Sequence, residues 1–205
     1  MFITFEGIDF CGKSTQVELL KNYFEKKGKT VKVIREPGGT EISEKIRDIL
    51  LDKKNNKMFM ETELLLFSAS RAQLVREKIN PFIEEGAIVI SDRFHDSSTA
   101  YQGYGRGLPI DSVLNVHKLA IGNTIPDITF IIDIPVSIAV QRKAEKTHQE
   151  LDRIEVSSND FYEKVRNGYL SIAKEENRFR VVDGTKSIEE IHNIIINYIE
   201  EFEQR

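Results

Sequence analysis

The sequence predicts an α/β fold in which a five-stranded parallel sheet carries helices on both faces, giving three layers. Short apolar segments alternate with longer amphipathic segments along the chain, which is the pattern of strand–helix–strand units. The segment 87–91 (Ala-Ile-Val-Ile-Ser) is nearly all apolar, as in a strand that is covered on both faces. A glycine-containing turn separates the first apolar run from the first amphipathic segment.

Each of the five strands is predicted from a short apolar run that is followed by turn-forming or charged residues. In chain order, the strands are expected at 2–5, 31–34, 87–91, 128–132 and 179–182. Right-handed crossovers between parallel strands place the carboxyl ends of the strands on one side of the sheet. Ligands bind on that side in open α/β sheets, so the residues that follow the strands are the first candidates for a site.

The first helix is predicted over 13–27, where Val17, Leu20 and Phe24 lie at helical spacing and should be buried. Gly28 follows at the position where a helix commonly ends in a left-handed glycine. The remaining helices are expected around Ile42–Ile49, over Glu61–Glu84, after Pro109, near Val136–Lys146, over Asp160–Glu176 and from Ser187.

Two of these helices carry apolar stripes that lead to more specific predictions. After Pro109, the spacing predicts that four residues turn inward: Val113, Val116, Leu119 and Ala120. The terminal helix opens with a capping box from Ser187 to Glu190. Its stripe serves either as core or as a subunit interface: Ile188, Ile191, Ile195, Ile199 and Phe202.

The 205 residues are enough for one domain with a substantial core, and no linker, repeat or low-complexity segment divides them. We therefore expect a single domain over 1–205. The net charge of −4 argues against a dedicated nucleic-acid binder, which would usually carry a basic stripe.

The longest apolar runs are too short to cross a bilayer, and the chain opens on a strand instead of a signal peptide. The single cysteine, Cys11, cannot form an internal disulfide, which suits a reducing compartment. We expect a cytoplasmic protein without a nucleic-acid or membrane partner.

A phosphate-binding loop is the strongest motif in the chain. Residues 7–14 match G-x-x-x-x-G-K-[ST] between the first strand and the first helix, as in the P-loop NTPase fold. The loop's N–H groups and the helix N-terminus would bind the phosphates of ATP, Lys13 would add a point charge, and Ser14 would ligate Mg²⁺. The residues expected to bind ATP here are Gly7, Ile8, Asp9, Phe10, Cys11, Gly12, Lys13, Ser14 and Thr15.

Asp92 ends the apolar strand at 87–91, which is the Walker-B arrangement for holding hydrated Mg²⁺. The alternative is an acid that simply ends a strand. Arg93 follows directly and would add a guanidinium, which can bond two phosphate oxygens at once.

Seven motifs occur in order along the chain. After the phosphate loop come Arg35-Glu36-Pro37-Gly38-Gly39-Thr40, Arg47, Phe67-Ser68-Ala69-Ser70-Arg71, Asp92-Arg93-Phe94, Ser97-Ser98-Thr99-Ala100-Tyr101-Gln102-Gly103 and Leu151-Asp152-Arg153-Ile154-Glu155. This set resembles the thymidylate kinase family of nucleoside monophosphate kinases, in the bacterial form that has a basic lid. The resemblance extends from Phe2 to about Ile191.

The resemblance implies a dTMP site. Phe67 would stack on thymine, although a lone Phe on a helix is normally core, and Arg71 would bond the thymine carbonyl from the same helix face. The other implied roles are Pro37 beside the base, Ser98 and Gln102 on the base edge or as loop-stabilising residues, Tyr101 against the sugar 2′ position, Asp9 on the 3′-hydroxyl, and Arg47 and Arg93 on the acceptor phosphate.

The charged segment over about 142–158, with Glu145, Lys146 and Glu150, is either a solvated connector or, as the resemblance implies, a short mobile lid that closes on ATP and excludes water. The roles that the resemblance implies are Arg142 against adenine, Asp183 and Thr185 in the opposite wall, Arg153 on the transferring phosphoryl group and Glu155 beside the metal or the acceptor. The catalytic set would then be Lys13, Arg93, Arg153 and Asp9. The family also implies a homodimer formed through helices packed face to face, for which 61–84 and the helix after Pro109 are the candidates.

The chain departs from the family pattern at three positions. Phe10 stands where some members carry a phosphate-loop arginine, so that cation should come from the lid. Cys11 replaces a small Ser or Ala, and Phe94 replaces a tyrosine and lacks its hydroxyl.

The function that these observations predict is phosphoryl transfer from Mg-ATP to dTMP, with ATP and dTMP as ligands and Mg²⁺ as cofactor. A related P-loop kinase with another small (deoxy)nucleotide acceptor is the first alternative. A nucleotide-dependent switch is the second, but the Asn-Lys-x-Asp run that reads guanine does not follow the strand that ends before Asp133.

Overall fold

The computed structural model describes residues 1–145 and 151–204. The described chain contains one five-stranded sheet, and its strands are β1 (Phe2–Glu6), β2 (Val31–Arg35), β3 (Ile88–Asp92), β4 (Ile128–Asp133) and β5 (Phe179–Asp183). The strands are all parallel and lie in the order β2-β3-β1-β4-β5. The predicted α/β fold with a five-stranded parallel sheet is confirmed.

Apart from a short helix after β3 that was not predicted, the helical segments lie close to their predicted positions. They are α1 (Lys13–Lys26), α2 (Glu41–Leu51), α3 (Met60–Leu74), α4 (Asn80–Glu84), α5 (His95–Ser98), α6 (Ile110–Ile121), α7 (Val136–Glu145), α8 (Asn159–Ile172) and α9 (Ile188–Glu203). The long helix predicted over 61–84 is continuous, but it passes from α3 through a π-helical turn (Val75–Ile79) into α4. A second π-helical turn (Thr99–Gly105) follows α5.

Successive residues of the central strands point to opposite faces of the sheet, and both faces are covered. Ile3 and Ile90 pack with Leu20 of α1 and Ile195 of α9. Phe2 and Val89 instead belong to the cluster with Leu74 and Ala120, on the side of α3 and α6. Because apolar side chains project from both faces of the sheet into covered layers, the strand sequences are nearly continuous apolar runs.

The register places the carboxyl ends of β1, β2 and β3 side by side. Phe5 of β1 and Arg35 of β2 both lie opposite Asp92 of β3. The phosphate loop therefore starts next to Asp92, although the two are far apart in sequence. This alignment gathers the predicted site residues on one side of the sheet.

One prediction about the apolar stripes, the inward-facing Leu119, needs correction. Leu119 on α6 is 80% exposed, while Val113 and Ala120 are buried and Val116 is partly buried. Ile188 at the start of α9 is also exposed, whereas Ile191, Ile195 and Ile199 are buried and Phe202 packs against them. The width of the buried face depends on the neighbouring helices, and spacing alone does not reveal it. The capping box between Ser187 and Glu190 is confirmed.

No helix in the described part of the chain is long and apolar enough to span a membrane.

Candidate active site

The phosphate loop connects β1 to α1 and curls around the side chain of Lys13. Gly7 and Gly12 have φ values of +137° and +102°, and a Cβ at Gly7 would lie 2.5 Å from the carbonyl oxygen of Ile132. Lys13 is the first residue of α1, and its Nζ donates to the carbonyl oxygens of Gly7 (3.1 Å) and Ile8 (3.0 Å). The ammonium group is therefore already held inside the loop, where phosphate oxygens would bind.

The predicted metal-binding residues lie side by side at the mouth of this loop. The Ser14 hydroxyl donates to Oδ2 of Asp92 over 2.8 Å. Mg²⁺ keeps several water ligands and typically takes only one or two protein oxygens besides those of phosphates. A hydroxyl and a carboxylate next to the phosphate loop fit such an ion, and the described residues contain no cluster of three or more acidic, His or Cys side chains that would bind a metal alone.

Asp9 and Arg93 form the centre of the site. The Asp9 carboxylate accepts hydrogen bonds from Nη2 of Arg93 (2.5 Å), from the Tyr101 hydroxyl (3.0 Å) and from the Tyr162 hydroxyl (2.9 Å). Burial would raise the pKa of Asp9, but Arg93, Lys13 and the two tyrosines together hold it below its ordinary value. Asp9 is therefore an ionised acceptor that could take a further hydroxyl donor.

Arg93 is held in place by the turn that follows β3. Its φ of 71° is in the left-handed region, which is uncommon for a residue with a side chain. The turn is fixed by Glu6, a fully buried carboxylate that accepts from the backbone N–H of Phe94 (2.7 Å) and from the Ser97 hydroxyl (2.6 Å). Burial, together with repulsion from Asp96, raises the pKa of Glu6 to about 7.

A first cavity, of about 290 Å³, opens beside Arg93 and contains the predicted dTMP-binding residues. Phe67 and Arg71 lie one helical turn apart on α3 and both line it, as the four-residue spacing predicted. The cavity also brings together Asp9, Pro37, Arg47, Arg93, Ser98, Tyr101 and Gln102. The structure thus places all nine predicted dTMP-binding residues around one space.

The base end of this cavity is built around Arg71, which is only 1% exposed. Its guanidinium donates to Glu36 Oε2 (2.6 Å), to the Ser98 hydroxyl (3.2 Å) and to the carbonyl oxygen of Phe94 (3.2 Å). Glu36 is also buried, and burial raises its pKa to about 7 even though Arg71 acts to lower it. These bonds fix the plane of the guanidinium against the cavity wall.

Arg47, a residue expected to bind the acceptor phosphate, also lines the first cavity. Its Nη1 donates to the carbonyl oxygen of Pro37 over 2.7 Å, and Arg35 donates to the same oxygen over 3.1 Å. Both arginines line the cavity, and Arg35, which opens the motif at 35–40 but had no predicted role, is a further cation of the site.

A second cavity, of about 530 Å³, lies on the other side of the phosphate loop. Its wall contains loop residues Asp9 to Ser14 together with Thr15, Arg142 and Ile188. Arg142 on α7 donates to the carbonyl oxygens of Cys11 (3.2 Å) and Gly184 (3.0 Å), so it ties the loop to the segment after β5.

The segment after β5 forms the opposite wall, but with different residues from those predicted. Gly184 and Lys186 line the cavity, whereas Asp183 and Thr185 do not. Asp183 instead accepts from the backbone N–H (2.9 Å) and the hydroxyl (2.6 Å) of Thr185, so these two side chains close a turn. Sequence adjacency identified the correct loop, but not which residues face the cavity.

The predicted lid over 142–158 is described except for 146–150, and Lys146 and Glu150 lie outside the described residues. Glu155 lines both cavities, and its carboxylate accepts from the backbone N–H of Asp152 over 2.9 Å. The carbonyl oxygen of Glu155 accepts from the Lys143 side chain. This part of the predicted lid therefore lies between the two cavities.

Arg153 does not lie where the sequence analysis expected it. Its Nη1 bonds Glu63 Oε2 (2.6 Å), its Nε donates to the carbonyl oxygen of Leu50 (2.7 Å), and it lines neither of the two cavities. The backbone N–H of Arg153 also donates to the carbonyl oxygen of Leu51 over 3.1 Å. These partners hold the guanidinium against the end of α2 and the start of α3, away from the phosphate loop.

Sequence reasoning missed several residues of the site, and each needs the tertiary structure to be recognised. Tyr162 on α8 bonds Asp9, which lies 153 residues away in the sequence. Glu36 and Glu63 are buried carboxylates that pair with Arg71 and Arg153. Glu36 lies within a sequence motif, but no local pattern indicates that it pairs with Arg71. No pattern in the α8 sequence singled out Tyr162.

Comparison with known proteins identifies the family of the chain. The thymidylate kinase family model matches residues 5–195. The chain belongs to the thymidylate kinase family. It is 50% identical over 202 residues to the thymidylate kinase of Thermoanaerobacter sp. (strain X514), with 98% of each chain covered. It is 53% identical over 200 residues to that of Thermosipho melanesiensis, again with 98% of each covered.

A solved structure supports the same assignment at the level of the fold. The crystal structure of the thymidylate kinase from Ehrlichia chaffeensis matches with a TM-score of 0.78 and 36% identity, and the match covers 98% of each chain. The P-loop fold predicted from the sequence is therefore confirmed for this member of the thymidylate kinase family.

The structure shows the local environment of the three positions at which this thymidylate kinase family member departs from the family pattern. Phe94 is fully buried, and its ring packs edge to face against Phe2 with centroids 5.0 Å apart. An apolar ring therefore fits this position without a hydroxyl partner. Cys11 is buried in the loop with its Sγ 3.6 Å from Lys13 Nζ. Phe10 has a φ of 63°, a left-handed conformation within the loop.

Proposed function

We propose that the chain transfers the γ-phosphoryl group of Mg-ATP to dTMP, giving dTDP and ADP. The observation that carries this proposal is that the two cavities share a wall made of Asp9, Ser14, Asp92, Arg93 and Glu155. A donor bound in the phosphate loop and an acceptor bound beside Arg71 would meet at this wall. Membership of the thymidylate kinase family supports the choice of acceptor.

Catalysis by these residues is mainly positioning and charge neutralisation. Lys13 and the loop N–H groups would hold the donor phosphates, while Arg93 and Arg47 would hold the acceptor phosphate. A general base is not required, because a nucleoside monophosphate is largely dianionic at neutral pH. Ser14 and Asp92 would hold Mg²⁺ through oxygen and water, and the ion supplies further neutralisation of phosphate charge.

The shape of the first cavity supports a deoxythymidine nucleotide over other acceptors. Phe67 offers an aromatic face, Arg71 offers donors to a base carbonyl, and Tyr101 is buried beside Asp9 where a sugar would lie. A related kinase for another small deoxynucleotide is the alternative, because dUMP shares the same carbonyl groups. A nucleotide switch is disfavoured, since a switch would not need an acceptor cavity, such as the first cavity, lined by arginines.

We also propose a homodimer formed through α3 and α6, which pack on each other. Leu65 of α3 and Leu114 and Leu119 of α6 are exposed apolar side chains on these two helices. Association of two such faces would remove them from water. The cytoplasmic location predicted from the sequence stays a prediction.

The test of the proposed function is an assay of ADP release with Mg-ATP against dTMP, dUMP, dCMP, dGMP and AMP, with a control that lacks an acceptor. We expect activity with dTMP well above that with the others. ADP release that is equally fast without an acceptor would show an ATPase and contradict the proposal.

Removal of the Arg71 guanidinium should affect the acceptor far more than the donor. Because Arg71→Ala would leave Glu36 buried without its partner, the substitution is made together with Glu36→Gln, and Glu36→Gln alone is the matched control. We expect the double variant to raise the KM for dTMP at least tenfold above that of the control, with the KM for ATP little changed. Equal increases in both KM values would remove Arg71 from the base site.

A further inference from the structure

Glu63 is a buried carboxylate on α3 that lies behind the first cavity and does not line it. It is 2% exposed, and each of its oxygens is bonded. Oε1 accepts from Nε2 of Gln102 (2.9 Å) and from Nε of Arg106 (3.1 Å). Oε2 pairs with Nη1 of Arg153 (2.6 Å) and accepts from Nη2 of Arg106 (3.3 Å).

The charge state of Glu63 determines which end of the Gln102 amide it can bind. Burial would raise the pKa of Glu63, but Arg106, Gln102 and Arg153 hold it below its ordinary value. An ionised carboxylate has no proton to donate, so it accepts only. Only the NH₂ end of the Gln102 amide can therefore face Glu63. The orientation of this amide, which is often ambiguous in structures, follows here from chemistry.

The carbonyl end of the same amide is left for the cavity. Gln102 is 1% exposed and lines the first cavity beside Phe67 and Arg71. Within residues 1–145 and 151–204, Nε2 is the only side-chain atom of Gln102 that takes part in a hydrogen bond, and Oε1 has no donor. An acceptor without a partner next to a binding cavity is available to a ligand N–H group.

Arg71 supplies the complementary half of a recognition pattern. Its guanidinium has five N–H groups, and the three bonds to Glu36, Ser98 and Phe94 leave two of them without a partner among the described residues. The cavity wall therefore presents a donor from Arg71 and an acceptor from Gln102. Thymine and uracil carry the matching pair, a carbonyl acceptor next to a ring N–H donor. Cytosine carries the reverse pair at the same positions.

We propose that Glu63 is a positioning residue that holds the carbonyl oxygen of Gln102 toward the acceptor cavity, so that the site selects bases with a ring N–H over cytosine. The inference rests on the proposed function, because it assigns the base that the cavity reads. Glu63 acts only through Gln102 and does not touch the acceptor.

Glu63→Gln is the variant that tests this role, since it keeps the size of the side chain and supplies an NH₂ group. The oxygen of the new amide would keep the bonds that Oε2 accepts from Arg153 and from Nη2 of Arg106. Its NH₂ group would replace Oε1, face Gln102 and leave Nε of Arg106 without that acceptor. Gln102 would then turn its carbonyl toward residue 63 and its own NH₂ group toward the cavity. Arg106→Gln is the matched control, because it removes another partner of Glu63 and keeps the bond to Gln102.

The experiment measures kcat/KM for dTMP, dCMP and 3-deaza-dTMP, in which a C–H group replaces the ring N–H. We expect Glu63→Gln to lower kcat/KM for dTMP on the order of tenfold, the effect of one lost hydrogen bond. It should change kcat/KM for 3-deaza-dTMP little, lower the preference for dTMP over dCMP at least tenfold and leave the KM for ATP unchanged. Arg106→Gln should keep the wild-type preference.

Equal losses on dTMP and 3-deaza-dTMP would show that Glu63 only supports the fold, and would overturn the inference. So would an unchanged preference for dTMP over dCMP. If Glu63→Gln does not fold, the double variant Glu63→Gln, Arg106→Leu is used instead. It removes one of the two arginines that lost their carboxylate partner, and the same outcomes apply. A wild-type chain that transfers nothing to dTMP would overturn the proposed function as well, so the two failures are distinguishable.

Discussion

At the scale of single residues, the site depends on a small number of buried charges that hold one another in place. Asp9 and Arg93 pair over 2.5 Å, and Asp9 also receives the hydroxyls of Tyr101 and Tyr162. Such a pair loses hydration on burial, and additional hydrogen bonds are needed to offset that cost. Tyr162 is therefore part of the site even though no motif indicated it.

Tyr162→Phe should weaken use of the acceptor and spare the donor. The change removes a hydrogen bond to a charged group, which is worth about 1.5–3 kcal/mol. We expect kcat/KM for dTMP to fall on the order of tenfold or more, with the KM for ATP unchanged, in steady-state assays. Tyr198→Phe on α9, whose ring packs near Phe130, is the matched control and should leave both values as in the wild type. An increase in the KM for ATP as large as the loss of kcat/KM for dTMP would contradict this role.

At the scale of elements, the segment 151–155 is attached to the helices beside the acceptor cavity. Asp152 Oδ1 accepts from the backbone N–H groups of Ile154 and Glu155 (both 2.8 Å), which forms a compact turn. Arg153 then joins this turn to the end of α2 and to Glu63 at the start of α3. In this arrangement, Arg153 connects elements and lines neither of the two cavities.

Arg153→Gln distinguishes a connecting role from a catalytic one. An arginine that stabilises a transferring phosphoryl group contributes about 10³–10⁵ in kcat. We expect kcat of the variant to stay within about tenfold of the wild type, while its melting temperature falls because Glu63 loses a cation. Turnover is measured at a temperature where circular dichroism shows the variant folded. A thousandfold loss of kcat in folded protein would restore Arg153 to the catalytic set.

Arg142→Gln is the matched comparison, since it removes a guanidinium that lies in the wall of the second cavity. This variant should raise the KM for ATP more than the KM for dTMP. Arg142 and Arg153 belong to the same predicted lid, so different effects of the two substitutions would show that the two ends of the lid have different roles.

At the scale of the whole molecule, the parallel sheet brings both cavities to the carboxyl ends of its strands. Asp92 lies opposite Phe5 and Arg35 in the register, so the phosphate loop, the turn after β2 and the turn after β3 meet. The opposite ends of the strands contribute to the core and carry none of the predicted site. Away from the site, α6 leaves Leu119 exposed, and Leu114 of the same helix and Leu65 of α3, which packs against α6, are exposed as well.

Leu119→Asp should separate the proposed dimer. A charge placed at an apolar contact between two chains would have to be desolvated without a partner. We expect light scattering after size exclusion to give twice the 23.6 kDa chain mass for the wild type and the single-chain mass for the variant. Val181→Asp replaces an exposed apolar residue on the edge strand β5 and should remain dimeric. A wild-type monomer, or a dimeric Leu119→Asp variant, would contradict the proposed interface.

The sequence by itself determined the fold class and the phosphate loop, and the resemblance to the thymidylate kinase family pointed to most residues of the acceptor cavity. These features depend on local rules: apolar runs define strands, glycines permit the loop, and Phe67 and Arg71 share a face because they are one helical turn apart. The side of the sheet on which the site lies followed from the topology of parallel strands. The strands, the phosphate loop and the shared face of Phe67 and Arg71 can each be recognised from residues that are close together in the chain.

Only the tertiary structure decided which partner each charged side chain takes. Arg153 binds Glu63 across 90 residues, and Tyr162 reaches Asp9 from α8. The free energy of such a contact depends on burial and on the distance between groups that are remote in sequence, and no periodicity records either quantity. For the same reason, only the packing of α3 against α6 revealed that Leu119 faces outward.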